Sequence, residues 1–531
     1  MKNAGAIIFR SMMLLLTGIT IGFFLADNNI SGRGLNFSHY NSNKISRVLR
    51  LVKENYVDSV NADSLEGIAV NDMLQTLDPH SLYLQPQRAR YINENLDGGF
   101  NGVGLEYQIL RDTMVVTQVY AGGPAATAGL MPGDKIISIN QTKFSGTKLT
   151  TEKVDQTLKG DSLSQVLMAV LVPDNPIVKL YKIQRGHVDL SSLDADYMLS
   201  PGIGYIKISR FASTTDADFR TALAKLKAQG LKKLVLDIRE NGGGYLNTAT
   251  AMADEFLPKG KLIVYTKGAH EERKDYFSTD SGMFKEGKLA VIIDEYSASA
   301  SEILAGALQD LDRAVIVGRR SFGKGLVQQQ FPFGDGSAVN LTIARYYTPS
   351  GRSIQKSYKY GVENYHNEIA ERVRKGELFS EQSTLNDSIF KKPSSYHTTN
   401  GRKVYSGGGI MPDIFVPADT SGNTTLIQEL GDQQLFTGYT IDRLGPVLSK
   451  FHTADAFINQ YIVSDNEFNR FILYASKTIK EMVPAELTAS RSTIKTILKA
   501  SAARFKWGDN AYFEVMNSDD AMLKKAVEAV N

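Results

Sequence analysis

The 531 residues carry 60 Lys and Arg against 57 Asp and Glu, with 42% hydrophobic and 22% charged residues. That is the balance of an ordinary globular chain, and the length predicts about three domains, because one hydrophobic core does not grow so large. A net charge of +3 without a long basic run argues against nucleic-acid binding. The absence of cysteine excludes disulfides, thiolate nucleophiles and cysteine-based zinc sites, and His39, His80, His187, His270, His366, His397 and His452 fall into no metal-ligand spacing, so neither a metal nor another cofactor is expected.

Residues 1–27 place Lys2 and Arg10 ahead of an uncharged apolar run from Ser11 to Ala26. This is the pattern of a signal anchor or signal peptide. The anchor is favoured, because Phe24-Leu25-Ala26 does not supply small residues at alternate positions. Positive charge ahead of the run predicts that everything after about Asp27 is exported, to the periplasm in a Gram-negative cell, and held at the inner membrane. A polar linker (28–43) leads to a helical unit (44–97), where Ile45, Val48, Leu49, Leu51 and Val52 recur at helical spacing up to the Asp78-Pro79 breaker. Residues 98–186 change to short alternating strands, "GVGLEYQI", "MVVTQVY", "DKIISIN" and "VLMAVLV", between Gly, Pro and Asn clusters. From about Ile203, "GIGYIKI", "KLVLDI" and "LAVIID" alternate with helical stretches, which predicts an α/β core over 187–419. Within it, the polar stretch 362–403 reads as an insertion. Residues 420–531 have helical periodicity throughout and predict a separate C-terminal helical domain, a candidate surface for self-association or an adaptor.

"DEYSASASEILAG" sets Ser297, Ser299 and Ser301 at alternate positions between a strand and a helix. Ser299-x-x-Glu302 has the form of a capping box, and capping alone accounts for most such serines. The same position suits a nucleophile, because a helix N-terminus offers unpaired N–H groups to a developing oxyanion. A base is then needed, and no histidine is an evident candidate. Lys324, between Gly323 and Gly325 in "SFGKGLVQ", is either a solvated loop residue or that base. The second role requires desolvation to lower its pKa by roughly three units. Gly242, Gly243 and Gly244 follow strand "KLVLDI" and lack both phosphate-loop spacings, so their N–H groups are better matched to a tetrahedral oxyanion than to a phosphate.

"SASASEILAGALQD", "SFGKGLVQ", "YYTPSGRSIQ" and "GGIMPDI", with "TLDPHSLYL" and "DIRENGGGYL" upstream, resemble the C-terminal processing peptidases, or tail-specific proteases, over roughly residues 45–417. The resemblance implies a ClpP/crotonase-like α/β core with Ser299 as nucleophile, Lys324 as base and Gln328 in support, and it points to the N–H groups of Gly243 and Ala300 as the oxyanion hole. Ser297 and Ser301 are left with packing roles. Alternate spacing puts Lys324 and Gln328 on one side of a strand. The family has proline where this chain has Gly242, which predicts a more flexible loop and a less preorganised hole. Residues 98–186 resemble a PDZ domain, with Gly102, Val103, Gly104 and Leu105 as the loop that takes a C-terminal carboxylate while the peptide adds as a strand. The implied function is a serine endopeptidase that selects protein substrates by their C-terminal tails. A PDZ scaffold that has lost catalysis is the alternative. An acyl-CoA hydratase or thioesterase of crotonase type leaves the Ser299 and Lys324 pair unexplained.

Overall fold

The computed structural model describes residues 44–146, 149–173, 177–380 and 396–531. The expected anchor and linker (1–43) lie outside the described residues. Among the described residues no helix is long and apolar enough to cross a membrane. The chain divides into two units, 1–72 and 73–531. The described part of the first holds α1 (Lys44–Asn55) and most of α2 (Ala62–Gln75), and α1 buries no side chain.

The second unit opens with β1 (Leu82–Leu84) and α3 (Pro86–Asp97), followed by β2 (Gly99–Gly102). Strands β3 (Leu105–Leu110), β4 (Thr113–Val119), β5 (Lys135–Ile139), β6 (Thr142–Lys143), β7 (Gln165–Leu171) and β8 (Val178–Gln184) then form an antiparallel sheet, with α4 (Pro124–Ala128) and α5 (Thr151–Leu158) among them. Period-2 patterning drives it: Val166, Met168 and Val170 of β7 point inward with Met114, Val116 and Ile136. β9 (Gly186–Asp189) returns antiparallel to β2 and closes the module at its neck.

The α/β core follows as β10 (Leu193–Ser200), β11 (Ile203–Ile208), α6 (Thr215–Ala228), β12 (Lys233–Asp237), α7 (Leu246–Asp254), β13 (Leu262–Lys267), β14 (Lys274–Phe277), β15 (Lys288–Ile293), α8 (Ala300–Asp310), β16 (Val315–Gly318), β17 (Leu326–Pro332) and β18 (Ala338–Tyr347). After α9 (Val362–His366) and α10 (Glu368–Arg374), β19 (Tyr396–His397) pairs with β20 (Lys403–Val404), and β21 (Ile414–Phe415) completes the main sheet. That sheet has the order β10-β11-β12-β15-β16-β21, parallel from β11 onward. All six residues of β11 are buried, as expected of a parallel strand covered on both faces. Residues Ile206, Leu234, Leu236 and Val291 meet α6, α7 and α8 on one face.

The C-terminal helices build the expected helical region around a core of their own, including Leu430, Phe457, Phe471, Ile494 and Leu498, and the last of them covers the other face of the sheet. Helices α11 (Thr425–Asp432), α12 (Leu435–Arg443), α13 (Gly445–Leu448), α14 (Ala454–Gln460), α15 (Asp465–Ala475), α16 (Pro484–Ala489), α17 (Arg491–Trp507) and α18 (Asp509–Met516) precede α19 (Ala521–Val530). Met522, Leu523, Ala526 and Val530 of α19 pack on Tyr205, Val235, Ala290, Ile292 and Val317 of the sheet. Alternate residues of a parallel strand point to opposite faces, so the core needs this last helix as its second layer. Burial of a Met, Leu or Val side chain such as Met522, Leu523 or Val530 contributes about 1.5–3 kcal/mol. The same C-terminal helices also reach the β-rich module, where Arg111 donates to both carboxylate oxygens of Asp442.

Two boundaries shift. Leu82–Leu84, expected within a helical unit, pairs antiparallel with β18 and joins the second core sheet, β1-β18-β13-β14 with β17 on β18. The described part of the expected insertion is packed inside the core, with Tyr365, Arg372 and Glu377 buried.

Candidate active site

The three serines separate by what their hydroxyls touch. Ser297 Oγ donates to Ile238 O (2.8 Å), and Ser301 Oγ donates to Asn241 O (2.8 Å). Both are fully buried and tie the turn to the end of β12. Ser299, the N-cap of α8, makes no side-chain cap hydrogen bond. In the capping-box pair of Ser299 and Glu302, the Ser299 N–H donates to Glu302 Oε2 (2.9 Å). Its backbone stands at φ 55, ψ −112, a conformation that L residues avoid and that costs on the order of 1–3 kcal/mol. The sharp strand-to-helix turn that results presents the hydroxyl to a cavity of about 500 Å³ shared with Lys324, Gln328, Tyr346 and Gly243.

Glu302 is fully buried and accepts four hydrogen bonds. Oε1 takes Ser321 Oγ (2.5 Å) and the Gly323 N–H (2.7 Å), and Oε2 takes the N–H groups of Ser299 and Lys324 (2.8 Å). One carboxylate therefore fixes the backbone of both residues expected to react. Burial pushes its pKa up, against the hydrogen bonds that favour the charged form. The Lys324 amine is lowered to about 8 by loss of water, opposed by the carboxylates of Glu302 and Asp78. No hydrogen bond joins the Ser299 hydroxyl to the Lys324 amine in this structure, although both line one cavity. Such contacts are often loose before substrate binds.

Gln328 requires a correction. Its amide donates to Thr342 Oγ1 (3.3 Å), which donates in turn to Asp78 Oδ1 (3.1 Å), and it does not bond the amine. The residue left out at the register shift is Ile343 on β18, so β17 keeps its alternation and Lys324, Leu326, Gln328 and Gln330 all line the cavity as the spacing predicts. Gly243 requires another. Its N–H donates to Asn241 Oδ1 (2.9 Å), so the expected oxyanion donor is already engaged. Position is not at fault: a Cβ at Gly243 would lie 2.8 Å from Ser299 Cβ and 3.0 Å from Ala300 N, and only glycine allows that approach. Ala300, first residue of α8, has no backbone acceptor for its N–H among the described residues.

Asp78 and His80 are site residues that sequence reasoning missed. Asp78 accepts from the N–H groups of His80 and Ser81 and from Ser81 Oγ, and β1 carries this turn against β18. His80 Nε2 lies 2.9 Å from Tyr365 Oη, and burial, with Lys324, His366 and Lys356 nearby, lowers its pKa to about 3, so the ring is neutral. The signal is the "DPHS" turn itself, which sequence reading takes only as the breaker that ends the helical pattern.

The β-rich module stands apart from this cavity. Gly102 pairs with Gly186 in the neck and bridges to Lys159, which takes it out of the expected carboxylate loop. Val103 is buried and its carbonyl accepts from Ala125 N–H (2.7 Å). Gly104 has φ +79, with Val188 Cγ2 3.1 Å from where a Cβ would stand. Leu105 opens β3, an edge strand of its sheet. Tyr107 of β3 donates to Asp155 Oδ1 (2.8 Å) on α5, spanning from strand to helix.

Models of three families match the chain: Peptidase family S41 over residues 202–364, a PDZ domain over 115–172, and a family of unknown function over 426–508. The carboxy-terminal processing protease CtpB of Bacillus subtilis (strain 168) is 36% identical over 59% of this chain, which spans 65% of that relative's length. A probable CtpA-like serine protease of Staphylococcus aureus (strain N315) is 33% identical over 65% of this chain and 70% of its own. Among solved structures, a photosystem II D1 C-terminal processing protease is 31% identical, with a TM-score of 0.32 over 58% of this chain and 89% of that one.

Proposed function

Because the chain belongs to peptidase family S41, as a C-terminal processing peptidase with a PDZ domain, we propose that it is an active serine endopeptidase working through a Ser299 and Lys324 dyad. One observation carries this reading: of three neighbouring serines, Ser297 and Ser301 donate to backbone carbonyls and only Ser299 lines the cavity, on a strained turn, beside an amine held near 8. Neutral Lys324 takes the hydroxyl proton as Ser299 Oγ attacks the scissile carbonyl. The oxyanion meets the Ala300 N–H, joined by the Gly243 N–H once Asn241 releases it. Lys324 then protonates the leaving amine, and water hydrolyses the acyl-enzyme by the same proton route. Gln328 acts at one remove, through Thr342 and Asp78, which fix the wall beside the amine.

Substrates are selected by their C-terminal tails. The tail adds as a strand on the open edge of β3, with its carboxylate at the turn of Val103, Gly104 and Leu105. Peptides with a free apolar C-terminus are expected to be cut faster than the same peptides amidated. Equal rates remove tail reading from this module, and casein cleavage without acyl-CoA turnover separates a peptidase from a crotonase-type enzyme. Residues 1–27 anchor the chain with its catalytic region exported. Protease accessibility in spheroplasts, with protection in intact cells, is the expected result, and a cytoplasmic C-terminal tag overturns it.

A further inference from the structure

The segment between β18 and β21 contributes no residue to the cavity lining, yet it brings Lys356 and Arg372 against the loop that carries Lys324, where Arg320 is a third buried cation. Arg320, Lys356 and Arg372 are each no more than 5% exposed. Arg320 donates to both oxygens of Glu377 (2.5 and 3.0 Å) and to Gly408 O (2.6 Å). Lys356 Nζ donates to Glu368 (3.2 Å) and lies 3.7 Å from the Phe322 ring centroid. Arg372, on α10, is held by Glu368 Oε1 (2.8 Å) and donates to three successive carbonyls of the loop: Arg320 O (3.0 Å), Ser321 O (2.9 Å) and Phe322 O (3.2 Å).

We propose that Arg372 is a positioning residue for Lys324, holding the carbonyls of residues 320–322 so that the next residues present the amine to Ser299. The inference rests on the reading of Lys324 as base. The physical need is local: glycines on both sides of Lys324 leave its backbone without intrinsic preference, so the loop takes its shape from what it bonds. Those partners surround it. Glu302 takes the N–H groups of Gly323 and Lys324, Gln355 Oε1 takes the Gly325 N–H (2.7 Å), the Lys356 N–H bonds Gly323 O (2.9 Å) and Tyr346 Oη bonds Lys324 O (2.7 Å). Arg372 is the partner that holds three consecutive peptide oxygens at once, a geometry that a planar fork of donors supplies and an ammonium does not. A buried ion cluster is weak evidence for stability, since desolvation offsets much of its attraction, so its placement directly behind the base is the informative feature.

The groups that face Lys324 are Glu302 from α8, Asp78 and His80 from the turn before β1, and Tyr346 from β18. With Arg372 lost, the loop opens to water beside those carboxylates, and the amine returns toward its ordinary pKa. The test uses the full chain, with Arg372→Gln and Arg372→Lys assayed on a peptide substrate from about pH 6 to about 10 and folding checked by circular dichroism. The expected result for Arg372→Gln is a kcat about 10–100-fold lower with KM within about twofold, and an acid limb of kcat/KM displaced upward by about one unit. Arg372→Lys should fall between. A folded Arg372→Gln with the wild-type acid limb overturns the inference, whatever the loss in active fraction, because a merely structural role leaves the profile unmoved. If that variant does not fold, the acid limb of Arg372→Lys decides in the same way. Lys324→Ala, run alongside, keeps the two readings apart: activity there defeats the dyad, whereas its loss, together with an unmoved limb in the Arg372 variants, defeats this inference alone.

Discussion

The two walls of the cavity are held by opposite means. On the Ser299 and Lys324 side, a buried carboxylate from α8 accepts from both residues' backbones, and further partners distant in sequence hold the rest of the loop. On the glycine side, the N–H of Gly243 is satisfied within its own loop, by Asn241 two residues earlier. A remote acceptor that is itself buried fixes geometry, while a local acceptor satisfies the donor and competes with the ligand. The backbone of the first wall is therefore fixed before substrate arrives, and the second wall must exchange one hydrogen bond for another.

The largest expected effect breaks the first wall at its reacting atoms. Ser299→Ala, Lys324→Ala and the double variant should each lose at least about 10⁴-fold in kcat/KM and reach a common residual rate, because residues that act as one unit do not give multiplicative losses. Lys324→Arg should be as inactive, since guanidinium does not accept the proton. Multiplying losses in the double variant would separate the two roles.

Glu302→Gln comes next. It keeps the volume but replaces one acceptor by a donor among four donors, so at least one buried N–H is left unsatisfied at about 1–3 kcal/mol. We expect a fall of about 10²-fold in kcat and a lower Tm by calorimetry; wild-type kcat would show that the turn holds its shape without the carboxylate.

The pH profile sharpens the same contrast. Lys324 works only when neutral, so kcat/KM should rise as pH increases through about 8, the value to which burial lowers the amine, and a limb near 10.5 would mean a solvated lysine. The sign is fixed by the base role: protonation below the limb removes activity.

The smallest effect belongs to the glycine wall. A Cβ at Gly242 meets no atom within 4 Å, so Gly242→Pro, which restores the pattern of the family, should fit and stabilise the chain by about 0.4–1 kcal/mol through the unfolded state. With the loop stiffened, kcat should change by no more than about fivefold, upward if flexibility limits the hole. A large fall would show that the loop must bend at this residue to release Asn241.

Local periodicity and short motifs determined much of this protein: the alternating strands of the β-rich module, the buried runs of β11, β12 and β15, and the Ser299-x-x-Glu302 capping box that the spacing predicts. Family resemblance supplied the roles of Ser299 and Lys324, and the structure places both on one cavity. What tertiary structure alone decided lies in contacts between residues distant in sequence. Glu302 reads as a cap until the Lys324 loop is folded onto its free lone pairs, and Asp78 and His80 read as a helix end until β1 pairs with β18. Gly243 looked like a free donor because sequence shows which N–H groups exist and not where Asn241 turns its amide. The C-terminal helices were legible as a helical region with a core of its own, but that the last of them covers the sheet was not, because its apolar stripe is legible and its partner is not. A period of 3.6 residues reports that a face must be buried, and only the uncovered side of the sheet determined against what.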